Sequence, residues 1–167
     1  MTTLAAGTDG PAATRRLAAA IAGLARPGDV VVLTGELGAG KTTFAQGFAG
    51  ALGVAEDVVS PTFTLVHEHA TARPGVALVH ADLYRLERTG ELEDLGLEEM
   101  RRDGAILLVE WGEVAGDRLG PALLVTLRHG PAGAETRRVE LARRGEQWAS
   151  RWDRLGAAVA AAGAGPG

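Results

Sequence analysis

The residues from Gly35 to Thr42 fit the pattern G-x-x-x-x-G-K-[ST], in which glycines let backbone N–H groups surround phosphate oxygens. Lys41 is the only lysine of the chain, whereas positive charge elsewhere is carried by arginine. A compact ammonium reaches between the β- and γ-phosphates, and a planar guanidinium is too wide for that position. The pattern therefore predicts nucleotide binding, and the residues expected to contact the nucleotide are Gly35, Glu36, Leu37, Gly38, Ala39, Gly40, Lys41, Thr42 and Thr43.

Two carboxylates stand where a phosphate site needs acidic partners. Asp82 follows the run VALVHA, and Glu110 follows AILLV. Ligands of open α/β sheets bind beyond the carboxyl ends of the strands. We therefore expect one carboxylate to orient Mg²⁺ or its water shell and the other to position an attacking water, while the Thr42 hydroxyl completes the metal site. Which of the two touches the metal is left open.

Three further features are weaker. The segment SPTFT, residues 60–64, is either a switch that senses the γ-phosphate or an ordinary strand start with a proline-restricted turn. His67 and His69 share one face of a predicted strand, but a histidine metal site is not expected because no third ligand is evident and Mg²⁺ prefers oxygen. Trp111, at a strand end, is interpreted as a packing residue.

The predicted elements place these residues. The apolar run at 30–33 predicts a buried strand, followed by the glycine-rich loop and a helix over 41–52 that ends near Gly53. A helix over 14–24, with Thr14 as its N-cap, comes before them. The later predictions are strands at 62–69, 76–80 and 105–109, short helices over 91–102 broken at Gly96, a hairpin of 123–127 with 138–141, and a helix over 147–162. This order predicts a three-layer α/β P-loop fold with a mixed, mostly parallel central sheet.

Composition restricts the function classes. The chain has 167 residues, 46% of them apolar, and no cysteine, which excludes disulfides, thiolate metal sites and a cysteine nucleophile. The net charge of −4 argues against direct binding of DNA or RNA. We expect neither a signal peptide nor a membrane span, because the first residues show no basic region before an apolar run and no apolar run approaches 18 residues. We expect a cytoplasmic protein with one domain over residues 1–167 and flexible tails at about 1–8 and 160–167.

Five segments together resemble the TsaE (YjeE) family: GELGAGKTTFAQGFAGALG, SPTFTLVHE, HADLYRL, ELEDLGLEE and LLVEWGE. The resemblance implies a small P-loop domain that binds ATP or ADP with Mg²⁺ and hydrolyses ATP slowly. It also implies a complex with the proteins TsaB and TsaD, which transfer a threonylcarbamoyl group to adenosine 37 of tRNA. Contact with tRNA would then be indirect, through the complex.

The resemblance also assigns roles to residues. Lys41 and Thr42 match the P-loop positions, Asp82 the aspartate of the DLYR segment and Glu110 the glutamate before tryptophan. Thr62 matches the threonine of the switch-like segment. Lys41, Thr62, Asp82 and Glu110 are therefore the expected catalytic residues, and Arg138 is the candidate for the adenine pocket. Ala81 and His69 depart from the usual family residues, which are aromatic.

Two other classes of P-loop protein have sequence requirements of their own. A small-molecule kinase would need a lid of arginines, for which Arg85, Arg88, Arg101 and Arg102 are available. A GTPase would need an N-K-x-D element, which this chain cannot form because it has no asparagine. No residue is an evident arginine finger, so we expect slow hydrolysis by the chain alone.

Overall fold

The computed structural model describes residues 2–60, 65–86 and 90–163. Its strands are β1 (Thr3–Thr8), β2 (Val30–Gly35), β3 (Val66–Ala70), β4 (Ala77–Asp82), β5 (Ile106–Glu110), β6 (Ala122–His129) and β7 (Arg137–Arg144). Its α-helices are α1 (Pro11–Ala22), α2 (Lys41–Ala51), α3 (Gly90–Asp94), α4 (Leu97–Arg102) and α5 (Trp152–Ala162). Short 3₁₀ helices cover Gly112–Val114, Gly116–Leu119 and Ala149–Arg151.

The strands form one mixed sheet with the order β1-β7-β6-β2-β5-β4-β3. The central strands β6, β2, β5 and β4 are parallel, whereas β1, β7 and β3 pair antiparallel with their neighbours. Strands β2 and β5 read as continuous apolar runs because helices cover both faces of the sheet there. The predicted mixed α/β architecture is confirmed, and the parallel strands all end at one edge.

Helices on the two faces of the sheet bury separate apolar clusters. Helices α1, α2 and α5 pack on one face, where Phe44 and Leu155 belong to the same buried cluster as Leu33. On the other face, Leu92 of α3 and Leu97 of α4 pack with alternate strand residues. Helix α2 lies against α1 at Gly47, where a Cβ atom would overlap the backbone of Arg15. This close approach fixes α2, and therefore the phosphate loop before it, relative to the sheet.

The structure corrects the predicted tails. Thr3–Thr8 are not a flexible tail but an edge strand, which pairs antiparallel with β7 and buries Ala6 and Thr8. The segment TLAAGT has too little contrast between apolar and polar residues for its alternation to be recognised. At the other end, α5 continues through Ala162, into the range predicted to be flexible.

Helix boundaries differ from the prediction in two places. Thr14 is not an N-cap, because α1 begins at Pro11 and the Thr14 hydroxyl instead shares a hydrogen bond of 2.8 Å with Thr8. The last helix begins at Trp152 rather than at residue 147, after a 3₁₀ turn. The predicted break at Gly96 is confirmed, since Gly96 adopts a left-handed conformation between α3 and α4. The strand predicted at 62–69 is described from Val66 onward.

None of the helices in the described ranges combines the length and the apolar character needed to cross a membrane.

Candidate functional site

The phosphate-binding pattern lies between the end of β2 at Gly35 and the start of α2 at Lys41, as predicted. Gly40, the residue before the helix, has a φ of 106°, which a side chain would strain. Gly35 lies against β6, where a Cβ atom would come within 2.6 Å of the Leu127 carbonyl oxygen. The first N–H groups of α2 have no partners within a helix, so they face the loop as donors for an anion.

The Lys41 side chain lies inside the loop, and Lys41 is only 7% exposed. Its Nζ donates hydrogen bonds to the carbonyl oxygens of Gly35, at 2.5 Å, and Glu36, at 3.1 Å. The ammonium also lies 4.3 Å from the ring centroid of Trp111, a cation–π distance. Burial lowers the pKa of Lys41, and the nearby carboxylates of Glu110, Glu113 and Asp82 act in the opposite direction.

The two predicted carboxylates are neighbours in the sheet. Asp82 and Glu110 pair across the parallel strands β4 and β5, and Glu110 also pairs with Leu33 of β2. Side chains alternate along a strand, so both carboxylates share the face that α2 covers. A cavity of about 350 Å³ is lined by both of them together with Lys41, Thr42 and Thr43. Lys41, Asp82 and Glu110 lie 28 to 69 positions apart in sequence, and the structure brings them together at one site, as predicted.

Asp82 has the more open of the two carboxyl groups. It is half-buried, and its Oδ1 accepts a hydrogen bond of 3.0 Å from the backbone N–H of Tyr84. Burial raises the pKa of Asp82, and the charge of Glu110 raises it further, against the opposing effects of the Tyr84 N–H, His80 and Lys41. A carboxylate held beside a second carboxylate suits a site for a divalent cation.

Glu110 is buried, at 2% exposure, and its Oε2 accepts a hydrogen bond of 2.6 Å from Nε2 of His80. His80 is fully buried on β4, two residues before Asp82 and on the same face of the sheet. Sequence reasoning did not single out His80, although a histidine inside an apolar strand that leads to a predicted site residue was the available signal. The bond leaves one carboxylate oxygen of Glu110 for other partners.

Trp111 does more than pack at a strand end. Its φ of 58° is the only positive value among the described non-glycine residues. The turn that follows places Gly112 against Val32, where a Cβ atom would overlap the valine side chain. The indole therefore turns back over Lys41, and its ring centroid lies 4.9 Å from that of Tyr84, which is 61% exposed.

The Thr42 side chain reaches the start of the predicted switch segment. Its Oγ1 shares a hydrogen bond of 2.7 Å with Oγ of Ser60, which also lines the cavity. Thr62, the predicted catalytic threonine of that segment, lies outside the described residues. At the rim of the same cavity, the Leu37 side chain is 86% exposed.

Arg138 is not brought to the loop. Its Nε pairs with Glu140 at 3.1 Å, and it lines neither the cavity at Lys41 nor a neighbouring one of about 500 Å³ between Trp111 and the end of β6. The adjacent Arg137 lies at the loop instead, because consecutive strand residues point to opposite faces of the sheet. Nε and NH2 of Arg137 donate to the carbonyl oxygens of Ala39 and Gly38.

Comparisons with known proteins agree with this architecture. The family model described as "Threonylcarbamoyl adenosine biosynthesis protein TsaE" matches residues 8–139. The chain is 42% identical over 142 residues to the tRNA threonylcarbamoyladenosine biosynthesis protein TsaE of Streptomyces coelicolor, which covers 81% of this chain and 94% of that protein. The protein of the same name from Bacillus subtilis is 46% identical over 113 residues, 67% of this chain and 68% of that protein.

A solved structure extends the comparison to three dimensions. The crystal structure of Bacillus subtilis YdiB matches 92% of this chain and 94% of its own, with a TM-score of 0.74 and 31% identity. The matched residues 8–139 contain the phosphate loop, both carboxylates and His80. The chain therefore belongs to the TsaE family of tRNA threonylcarbamoyladenosine biosynthesis proteins.

Proposed function

We propose that this chain is a Mg²⁺-dependent ATPase that serves the threonylcarbamoyl modification of adenosine 37 in tRNA. The observation that carries the proposal is a single cavity lined by Lys41, Thr42, Asp82 and Glu110 at the carboxyl edge of the parallel strands. These groups supply a phosphate-binding ammonium, a hydroxyl and two carboxylates, the set that P-loop ATPases use. Membership of the TsaE family supplies the link to tRNA modification.

The donors around the cavity fit a magnesium nucleotide. Lys41 and the N-terminus of α2 would hold the phosphates of ATP or ADP, and the oxygens of Thr42 and Asp82 would hold Mg²⁺. Mg²⁺ would neutralise charge on the β- and γ-phosphates. Glu110 is better suited to orient a water molecule, because His80 already holds one of its oxygens and fixes the direction of the other.

Hydrolysis by the chain alone should be slow. Arg137 is the one arginine among the described residues that line the cavity, and its guanidinium donates to four backbone carbonyl oxygens. It is therefore not free to act as an arginine finger. P-loop hydrolysis without such a finger runs at about 10⁻⁴ to 10⁻³ s⁻¹. We expect partner proteins to accelerate it.

The partners we propose are TsaB and TsaD, which would hold the tRNA in the cytoplasm. The acidic chain, with a net charge of −4, is poorly suited to bind tRNA by itself. Leu37 and Tyr84 are large apolar side chains exposed at the rim of the cavity, where a partner that closes over the nucleotide would bury them.

A reconstituted reaction tests this proposal. The chain is mixed with TsaB, TsaD and unmodified tRNA, and phosphate release and rounds of modification are followed together. Omitting the chain, or replacing Lys41 with alanine, should stop repeated rounds, whereas Arg138→Ala should leave them unchanged. Rapid ATP turnover by the isolated chain, or modification that proceeds equally well without it, would contradict the proposal.

The kinase alternative finds no support in the described residues. Arg101 and Arg102 both pair with Glu98 on α4. Because α4 ends just before β5 begins, these arginines lie at the opposite edge of the sheet from Glu110. Arg85 lies in an exposed turn, and Arg88 lies outside the described residues. A panel of nucleosides and hydroxy acids tests this alternative. Transfer of phosphate from ATP to any of these acceptors would support the kinase function.

A further inference from the structure

Arg137, the first residue of β7, connects two segments that are far apart in sequence. Its Nε donates to the Ala39 carbonyl oxygen at 2.9 Å, and its NH2 donates to the Gly38 carbonyl oxygen at 3.1 Å. Its NH1 donates to the carbonyl oxygens of Ala134 and Thr136, at 2.7 and 2.8 Å. All three guanidinium nitrogens are thus engaged, two with the phosphate loop and one with the β6–β7 connection.

These bonds set the orientation of the peptide units directly before Lys41. A peptide unit is planar and trans, so a carbonyl directed at Arg137 turns the N–H of the same unit to the opposite side of the loop. In the unit that joins Ala39 to Gly40, the Ala39 oxygen faces the guanidinium, and the Gly40 N–H therefore faces away from it. The Ala39 N–H is already bonded to the Glu36 oxygen inside the loop.

We propose that Arg137 is a positioning residue of the nucleotide site, which holds the loop at 38–40 so that the Gly40 N–H is directed at a bound phosphate. It acts on the loop through backbone carbonyls, and it also lines the cavity in which Lys41 lies. The inference rests on the proposed nucleotide binding and adds a determinant that lies outside the phosphate-binding pattern.

The chemistry of arginine is essential to this role. Five N–H donors in a rigid fork can satisfy four carbonyl oxygens on two segments, whereas a lysine ammonium has three donors at one point. Replacement by lysine would keep the charge near the cavity but could not bridge the same acceptors. The variant Arg137→Lys therefore separates positioning from a simple effect of charge.

The experiment compares Arg137→Gln and Arg137→Lys with the matched control Arg138→Gln, which alters the neighbouring strand residue on the opposite face. Affinity for the fluorescent nucleotide mant-ADP with Mg²⁺ is measured by titration. Backbone amide exchange is measured without nucleotide, so that the loop is examined independently of binding. Both Arg137 variants should raise the Kd about tenfold or more and accelerate exchange at residues 38–41, because charge-assisted hydrogen bonds to the loop are lost. Arg138→Gln should change neither.

The outcomes separate this inference from the proposed function. Failure of the unaltered chain to bind mant-ADP refutes the proposed function, and amide exchange then still decides whether Arg137 orders the loop. Unchanged exchange and affinity in Arg137→Gln would overturn the inference, as would full rescue by Arg137→Lys. Loss of protection across the whole sheet in Arg137→Gln would indicate a general structural role and would also overturn it.

Discussion

Replacing His80 with alanine would remove the hydrogen-bond donor of a buried carboxylate. Glu110 is 3% exposed at its side chain, and His80 is its one side-chain partner among the described residues. Leaving a buried carboxylate without its partner costs about 3–5 kcal/mol, since its charge then stays buried without compensation. For a chain of this size, each kcal/mol corresponds to about 2–4 °C in Tm.

The neighbouring strand provides a matched control. His69 is also buried, and its Nδ1 pairs with Glu56, but the Glu56 side chain is 57% exposed and can be solvated. Removing the partner of an exposed carboxylate costs no more than about 1 kcal/mol. Both substitutions replace a buried histidine with alanine, so the difference between them reports mainly the effect of the buried carboxylate.

The assay is thermal unfolding followed by circular dichroism. His80→Ala should unfold about 4–20 °C below His69→Ala. Adding Glu110→Gln to His80→Ala should recover part of the loss, because an uncharged amide is less costly to bury than a carboxylate. Equal losses in the two histidine variants, or no recovery in the double variant, would refute the reasoning that His80 compensates Glu110.

Other predictions concern the lysine, the open carboxylate and a second buried pair. Lys41→Arg should weaken nucleotide binding although the charge is kept; equal affinity in calorimetry would contradict it. Burial raises the pKa of Asp82 above its value in the unfolded chain, so the folded state favours the protonated carboxyl group. The stability that the protonated group provides is fully present below the unfolded pKa and is lost as pH rises through the folded pKa. Asp82→Asn should therefore unfold at a higher temperature than the unaltered chain near pH 7, and this difference in Tm should disappear below about pH 4. The same variant should lose Mg²⁺-dependent nucleotide binding. A lower Tm at neutral pH would contradict the prediction. Arg151→Met should lower the free energy of unfolding by about 3–5 kcal/mol in urea titrations, because Asp29, 1% exposed, loses both of its bonds to the guanidinium; a change below about 1 kcal/mol would show that Asp29 finds another partner.

The parts of the site that were predictable follow from local pattern and one topological rule. Gly35 to Thr42 form a recognisable phosphate loop because backbone geometry imposes glycine and lysine at fixed spacing. Asp82 and Glu110 were identifiable because parallel strands bring their carboxyl ends to one edge, although 28 residues separate them in sequence. No such rule shows which carboxylate is buried, since the contact with His80 depends on the lateral order of β4 and β5.

The differences between the expected and the observed positions have physical causes of the same kind. Arg137 and Arg138 are equivalent in composition, but a shift of one residue along a strand moves a side chain to the other face. The pairing of β1 with β7 joins opposite ends of the chain, and its alanine-rich sequence carries no periodic signal. The contact of the Trp111 ring with Lys41 could not be recognised from the sequence, because the position of the ring depends on a left-handed backbone conformation at a non-glycine residue.

The most direct test of the central claim is a crystal structure with Mg²⁺ and a non-hydrolysable ATP analogue. The account predicts that the triphosphate lies in the loop at 35–42, with Mg²⁺ between the phosphates and Asp82. Lys41 Nζ should leave the carbonyl oxygens of Gly35 and Glu36 and bind the β- and γ-phosphates. A nucleotide bound elsewhere on the chain, or a bound triphosphate with Lys41 still on those carbonyl oxygens, would contradict the account.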